Sequence, residues 1–243
     1  MRMSCNDRPA LYAALGDSIS IDEYAGGPGL GGPSLFARNR DDVFPQWRGR
    51  DLATVHPDLR YHLLAVDGGT TDSLLHHQLP QLERSGAAPS VVTLTVGGND
   101  LLSAYADTPR ARRVVEVVRR RVDETLRRLR PLMRAPGDPI IVGTVYDPSD
   151  GTGDAARVGL PAWPDVVDLV AELNAALRSV AGEHGGRVAD IHRRFLGHGL
   201  LRGDPAQTDA RPADRELWYC RVIEPNAWGA DAVRAAFWEA LHG

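Results

Sequence analysis

Lysine is absent from this chain of 243 residues, so all 28 strongly basic side chains are arginine. Among so many glycines, that bias reads as the codon usage of a GC-rich genome and carries no functional signal. Only two cysteines occur, Cys5 and Cys220, and they lack the spacing of a zinc site. They could pair only if the fold brought the N-terminus beside the Cys220 loop. No stretch approaches the roughly 20 apolar residues that span a bilayer, which excludes a transmembrane helix. Residues 1–10 are mostly polar and lack the apolar segment and cleavage site of a secretory signal, so a cytoplasmic location with no membrane partner is expected. The formal charge of −4 and pI near 6.1 argue against nucleic acid as a partner.

What is present is a regular alternation. Five short runs rich in Val, Ile and Leu read as strands: 11–15, 61–66, 91–96, 140–145 and 187–191. They show little polar alternation, as expected of strands covered on both faces. Helical patterns separate most of them, at 72–84 (despite Pro80), 109–134 and 164–184, and a last one at 227–241 closes the chain. The second is marked by Val114, Val118, Val122, Leu126 and Leu129 at spacings of three and four. This order predicts parallel βαβ units in a three-layer α/β/α sandwich. No internal repeat or long linker divides the chain, which reads as an N-terminal tail over residues 1–10 and a single domain over 11–243.

Two loops follow strands that should end on one sheet edge, where open parallel sheets bind ligands. Residues 22–50 are Gly-rich around Gly26–Pro33, and residues 146–163 contain Asp147-Pro148-Ser149-Asp150-Gly151. Either could wall a pocket or simply turn a corner. The Arg-rich stretch over 119–128 suggests a polyanion site at first. However, Glu116 precedes Arg120 by four residues, Asp123 precedes Arg127 and Glu124 precedes Arg128, the spacing of self-satisfied surface pairs. No Gly-rich segment has the pattern of a phosphate cradle, so a nucleotide-binding module has no motif to support it.

The chemistry gathers where strands end. The first runs into Gly16-Asp17-Ser18, the second into Asp67-Gly68-Gly69-Thr70, and the third into Gly97-Gly98-Asn99-Asp100. Taken singly, the glycines are turn residues and Asn99 is a helix cap. Together they bring a hydroxyl, a backbone amide and a carboxamide to one edge, the parts acyl transfer requires. Ser18 can attack an ester carbonyl, while its own N–H, that of Gly68 and the Asn99 amide hold the oxyanion. Asp17 and Asp100 are expected to brace the loops.

On these residues the chain resembles the SGNH hydrolase family of GDSL-type esterases and lipases. Ser18 matches its first block, Gly68 its second and Asn99 its third, and the resemblance runs over nearly the whole chain, from about Leu11 to Leu241. It implies a flavodoxin-like parallel five-stranded sheet, esterase or acylhydrolase activity on a small-molecule ester, and no cofactor. The fourth block departs from the pattern. Where the family carries Asp-x-x-His before Pro-Asn, this chain reads Arg221-Val222-Ile223-Glu224-Pro225-Asn226. Three explanations stay open. Glu224 is itself the base; or a histidine from elsewhere, His198 or His192, reaches the site; or catalysis has been lost and the protein binds a ligand on the same scaffold. The first is the primary expectation: a serine esterase for a short acyl or acetyl ester, with Ser18, Gly68, Asn99 and Glu224 as its machinery. A carboxylate starts about two pKa units below imidazole, a handicap of roughly 3 kcal/mol. Burial would recover part of it, while Arg221 nearby would oppose the recovery.

Overall fold

The computed structural model describes residues 10–243. Five parallel strands form the central sheet: β1 (Leu11–Gly16), β2 (Arg60–Leu63), β3 (Val91–Thr95), β4 (Ile140–Gly143) and β5 (Arg187–Ala189). Their spatial order is β2-β1-β3-β4-β5. Every residue of β1, β3 and β4 is buried, which is why their sequences are continuous apolar runs. Ala10, assigned above to the tail, is also buried, and its carbonyl accepts the Arg60 N–H. The rest of the tail lies outside the described residues, and with it Cys5. Cys220 is a buried free thiol.

One face of the sheet carries the helical segment over residues 71–84 and the helices Thr108–Leu129 and Val166–Glu183. Leu79, Val118, Val122, Leu126, Leu173 and Leu177 pack there against Leu15, Leu94 and Val142. The other face carries Gly32–Ala37, Ile191–Phe195 and Ala227–His242, with Phe36, Phe195 and Phe237 packed on Tyr12, Ala14 and Ile141. This is the expected three-layer arrangement. Among the described residues no helix is long and apolar enough to cross a membrane.

Proline explains an irregularity in the 71–84 segment. Helix Thr71–Ser73 passes into a π-turn at Leu74–Gln78 and resumes as Leu79–Arg84. Pro80 has no N–H to donate and its ring would meet the carbonyl four residues back, so the ladder widens just ahead of it. The helix expected over 109–134 ends at Leu129 and tightens into a short 3-10 turn at Arg130–Leu132, where Pro131 interrupts it.

The arginine pairs on that helix differ from the expected i,i+4 set. Arg119 pairs with Glu116 and Arg127 with Glu124, each three residues apart. Arg128 reaches Glu83 at 2.7 Å and Arg121 reaches Asp72 at 2.7 Å, both on the neighbouring segment, while Asp123 meets His184. The face is satisfied by its own and adjacent helices, and long arginine side chains choose partners across the groove that spacing alone does not reveal.

Candidate active site

In the order 2-1-3-4-5 the sheet reverses its winding between β1 and β3, and a crevice opens beyond their carboxyl ends. Ser18 follows β1 and Asn99 follows β3. Both line one cleft, together with Val145, Tyr146 and Trp163.

Close backbone approach fixes the Ser18 turn. Gly16 has φ +139°, and a Cβ there would lie 2.1 Å from the Thr95 carbonyl oxygen, so only glycine fits. The Gly16 N–H donates to Gln78 Oε1 and the Gly16 carbonyl accepts from Gln78 Nε2, both at 2.8 Å. Asp17 then caps a 3-10 turn over Ser18–Ser20, accepting from the Ile19 N–H at 3.2 Å and the Thr95 hydroxyl at 2.9 Å. Ser18 is buried, and the cleft reaches it from one side.

The Gly68–Gly69 turn presses on this strand end. A Cβ on Gly69 would sit 2.4 Å from the Gly16 carbonyl oxygen and 3.1 Å from the Asp17 Cα, while Gly68 itself adopts φ +64°. Among the described residues, the backbone N–H groups of Ser18 and Gly68 have no protein acceptor. Asn99 is not a helix cap: Gly97, at φ +110°, begins the short helix Gly98–Leu102, and Asn99 lies in its first turn. Its amide donates to the Gly69 carbonyl at 3.0 Å. That bond uses one of the two amide hydrogens, and Asn99 lines the cleft. Asp100 accepts from the N–H and hydroxyl of Thr71, at 2.9 and 2.6 Å, a loop brace as expected.

Glu224 arrives on a small hairpin, β6 (Tyr219–Cys220) with β7 (Glu224–Pro225), which the apolar pattern did not reveal. Arg221 and Val222 turn the chain at φ +44° and +83°. Asn226 anchors the hairpin to the final helix: its oxygen accepts from the Trp228 and Gly229 N–H groups, and its amide donates to the Leu217 and Tyr219 carbonyls. The Ser18 side chain is close enough to the Glu224 carboxylate to lower its pKa. Burial raises the Glu224 pKa; the Ser18 contact lowers it in part, and the charges of Asp67 and Glu23 raise it further. Its Oε2 is buried without a hydrogen-bond partner. Arg221 does not oppose this as expected. The tight turn sends its guanidinium away to Glu23, at 3.9 Å, and over the Tyr24 ring. Asp17 is a second raised carboxyl, pushed to about 7 by burial and, less strongly, by the charge of Glu224, against the hydrogen bonds from Thr95 and Ile19.

The two candidate histidines lie elsewhere. The ring of His198 stacks on Trp218 with centroids 3.5 Å apart, and its Nδ1 meets the Glu216 carbonyl at 2.7 Å. His192 follows β5, its N–H donating to the Thr144 hydroxyl and its Nδ1 buried without a partner. Neither lines the cleft that contains Ser18, and although Ile223 beside Glu224 does, Gly68 and Glu224 do not. Nor does the Gly-rich 22–50 loop, whereas the 146–163 loop supplies Tyr146, Asp147, Pro148 and Trp163. Among the described residues, no group of three or more His, Cys, Asp or Glu side chains could hold a metal ion. Sequence reasoning missed Gln78, Thr95 and Asn174. Asn174 clamps Val145 as Gln78 clamps Gly16, accepting at 2.7 Å and donating at 2.8 Å.

The profile of the GDSL-like lipase/acylhydrolase family matches residues 14–232. No curated protein matches the sequence. Similar solved structures include a phospholipase A1 from Streptomyces albidoflavus, with 22% identity over 96% of this chain and 100% of that one, at a TM-score of 0.63. An extracellular lipase from Streptomyces rimosus has 19% identity over 95% and 99%, also at 0.63. An acetyl xylan esterase from Geobacillus stearothermophilus, a single-residue variant, has 16% identity over 96% and 94%, at 0.61. At these identities the likeness is one of fold.

Proposed function

The chain belongs to the GDSL-like lipase/acylhydrolase family, and on that premise we propose that it is a serine esterase acting on a short acyl ester with a carboxylate base. The observation that carries the reading is the Ser18 side chain close enough to the half-buried Glu224 carboxylate to lower its pKa, beside a cleft that Ser18 shares with Asn99. Ser18 Oγ attacks the ester carbonyl as its proton passes to Glu224. The oxyanion is held by the N–H groups of Ser18 and Gly68 and by the Asn99 amide; losing one such donor costs about 3–4 kcal/mol of transition-state stabilisation. The tetrahedral adduct collapses to the acyl-enzyme as Glu224 returns the proton to the departing alcohol. Water then attacks the acyl-enzyme, its proton again taken by Glu224 and passed back to Ser18.

Burial supports a carboxylate in this role. A glutamate with an ordinary pKa is a weak base toward an alcohol, and desolvation makes it a stronger one. The rival reading, a ligand-binding protein without turnover, draws on the missing histidine. Labelling with a fluorophosphonate and turnover of a p-nitrophenyl ester separate the two, with Ser18→Ala as the control. Ser18-dependent labelling and turnover are expected. Their complete absence would leave the binding module.

A further inference from the structure

The hairpin that carries Glu224 is small, with two residues in each strand, and its turn leans on a loop. The Arg221 and Val222 N–H groups donate to the Gln207 and Pro205 carbonyls, at 3.0 and 2.7 Å. A third tie runs to the end of β4. Tyr146, three residues past that strand, donates its hydroxyl at 2.6 Å to the carbonyl of Ile223, the residue before Glu224. Tyr146 and Ile223 both line the cleft with Ser18. We propose that Tyr146 is the positioning residue for the base: its hydroxyl seats the hairpin so that the Glu224 carboxylate stays beside Ser18. The inference rests on the reading of Glu224 as the base of a serine esterase.

Tyr146 can act as a fixed post because it is itself held. The residue before it, Val145, is gripped at both backbone groups by Asn174. Its ring stacks on Phe195 with centroids 4.8 Å apart, and Tyr219 of β6 meets it edge-on at 5.2 Å. The buried ring therefore packs on one strand of the hairpin while the hydroxyl reaches the turn. A carboxylate base needs such a seat. Glutamate is among the side chains with most rotamer freedom to lose, and a reacting group misplaced by about 1 Å can lose on the order of 10²-fold in rate.

The hydroxyl can be removed without changing any charge. Burial pushes the Tyr146 phenol well above its ordinary range, so it stays neutral at working pH. The other titratable groups that act on Glu224 or feel its charge are Asp17, Glu23, Tyr24, Asp67 and Cys220, with Arg221 turned toward Glu23. All of them remain in Tyr146→Phe, which keeps the stacked ring. What that variant alters is the seat of the hairpin. With the Ile223 carbonyl released, water reaches Glu224 more readily, and the desolvation that raises its pKa weakens.

The test compares the parent with Tyr146→Phe by p-nitrophenyl ester kinetics across pH, with folding followed by thermal melting. A carboxyl-carbon NMR titration of Glu224, its resonance assigned by loss in Glu224→Gln, accompanies the kinetics. In Tyr146→Phe, kcat is expected to fall about tenfold or more with KM within about twofold. The acid limb and the Glu224 midpoint should both move down toward the ordinary carboxylate range. A change in KM alone, or a slower kcat with limb and midpoint unmoved, would overturn the positioning role while leaving the esterase intact. The titration needs no turnover. Should neither protein cleave an ester, a lower Glu224 midpoint in Tyr146→Phe would keep the positioning and remove the esterase. An unchanged midpoint would overturn the positioning.

Discussion

The side-chain amide of Gln78 grips the backbone of Gly16 from both sides, accepting from its N–H and donating to its carbonyl at 2.8 Å each. Gly16 is the last residue of β1 and sits two places before Ser18, so this clamp sets where the strand stops and the turn begins. Gln78 itself ends the π-turn ahead of Pro80, which ties a helical irregularity on one side of the sheet to the position of Ser18.

Gln78→Ala should strand two buried backbone groups and cost about 2–4 kcal/mol, read as a shift in the urea midpoint. Gln78→Glu keeps the length but can donate to the Gly16 carbonyl only when protonated. Its stability should therefore fall as pH rises from about 4 to 7, a dependence that the alanine variant would lack. Equal stability of both variants with the parent would refute the clamp.

Asp17 carries a pH prediction of its own. In the unfolded chain it releases its proton near 3.8, in the folded protein near 7. Between those values the folded state binds more protons, so this group makes stability fall as pH rises. The contribution, of order 4 kcal/mol at its upper limit, is complete above about pH 7. Asp17→Asn keeps an oxygen to accept from Thr95 and Ile19 while removing the charge. Melting profiles should be flatter for Asp17→Asn from pH 4 to 7; a slope unchanged from the parent would remove Asp17 as its source.

Removing the proposed base should be severe. Glu224→Gln preserves shape but cannot take the Ser18 proton, so kcat should fall by about 10²-fold or more with the protein still folded. Because Glu224 sits above the ordinary carboxylate range, the acid limb of the parent pH–rate profile should lie above about pH 4.5 and vanish in the variant. His198→Ala, altering a ring stacked on Trp218 away from the cleft, should leave the rate largely unchanged. The reverse pattern would transfer the role to His198.

The fourth block can also be rebuilt. Glu224→His supplies an imidazole but no orienting carboxylate. Adding Arg221→Asp places one at a position with φ +44°, a conformation aspartate tolerates better than most residues, but on a turn that sends the 221 side chain toward Glu23 and away from residue 224. Both variants should move the limb toward about pH 6–7, and the double should be no faster than the single in kcat/KM. A double variant faster than the single would mean that residue 221 can turn to face residue 224.

The sequence by itself determined the layered sheet, because strands buried on both faces must be apolar throughout, and the amphipathic helices between them leave few other arrangements. It also offered Ser18, Gly68, Asn99 and Glu224 as candidates, since short motifs are local. It did not reveal the Gln78 and Asn174 clamps, where one polar side chain meets a backbone 62 or 29 residues away. Nor did it give the direction of Arg221, which a tight turn decides, the raised carboxyl of Asp17, or the charges of Asp67 and Glu23 that raise Glu224 further. Those last properties belong to packing: a carboxyl group gains basicity from the water that its neighbours exclude, and only the assembled fold specifies those neighbours.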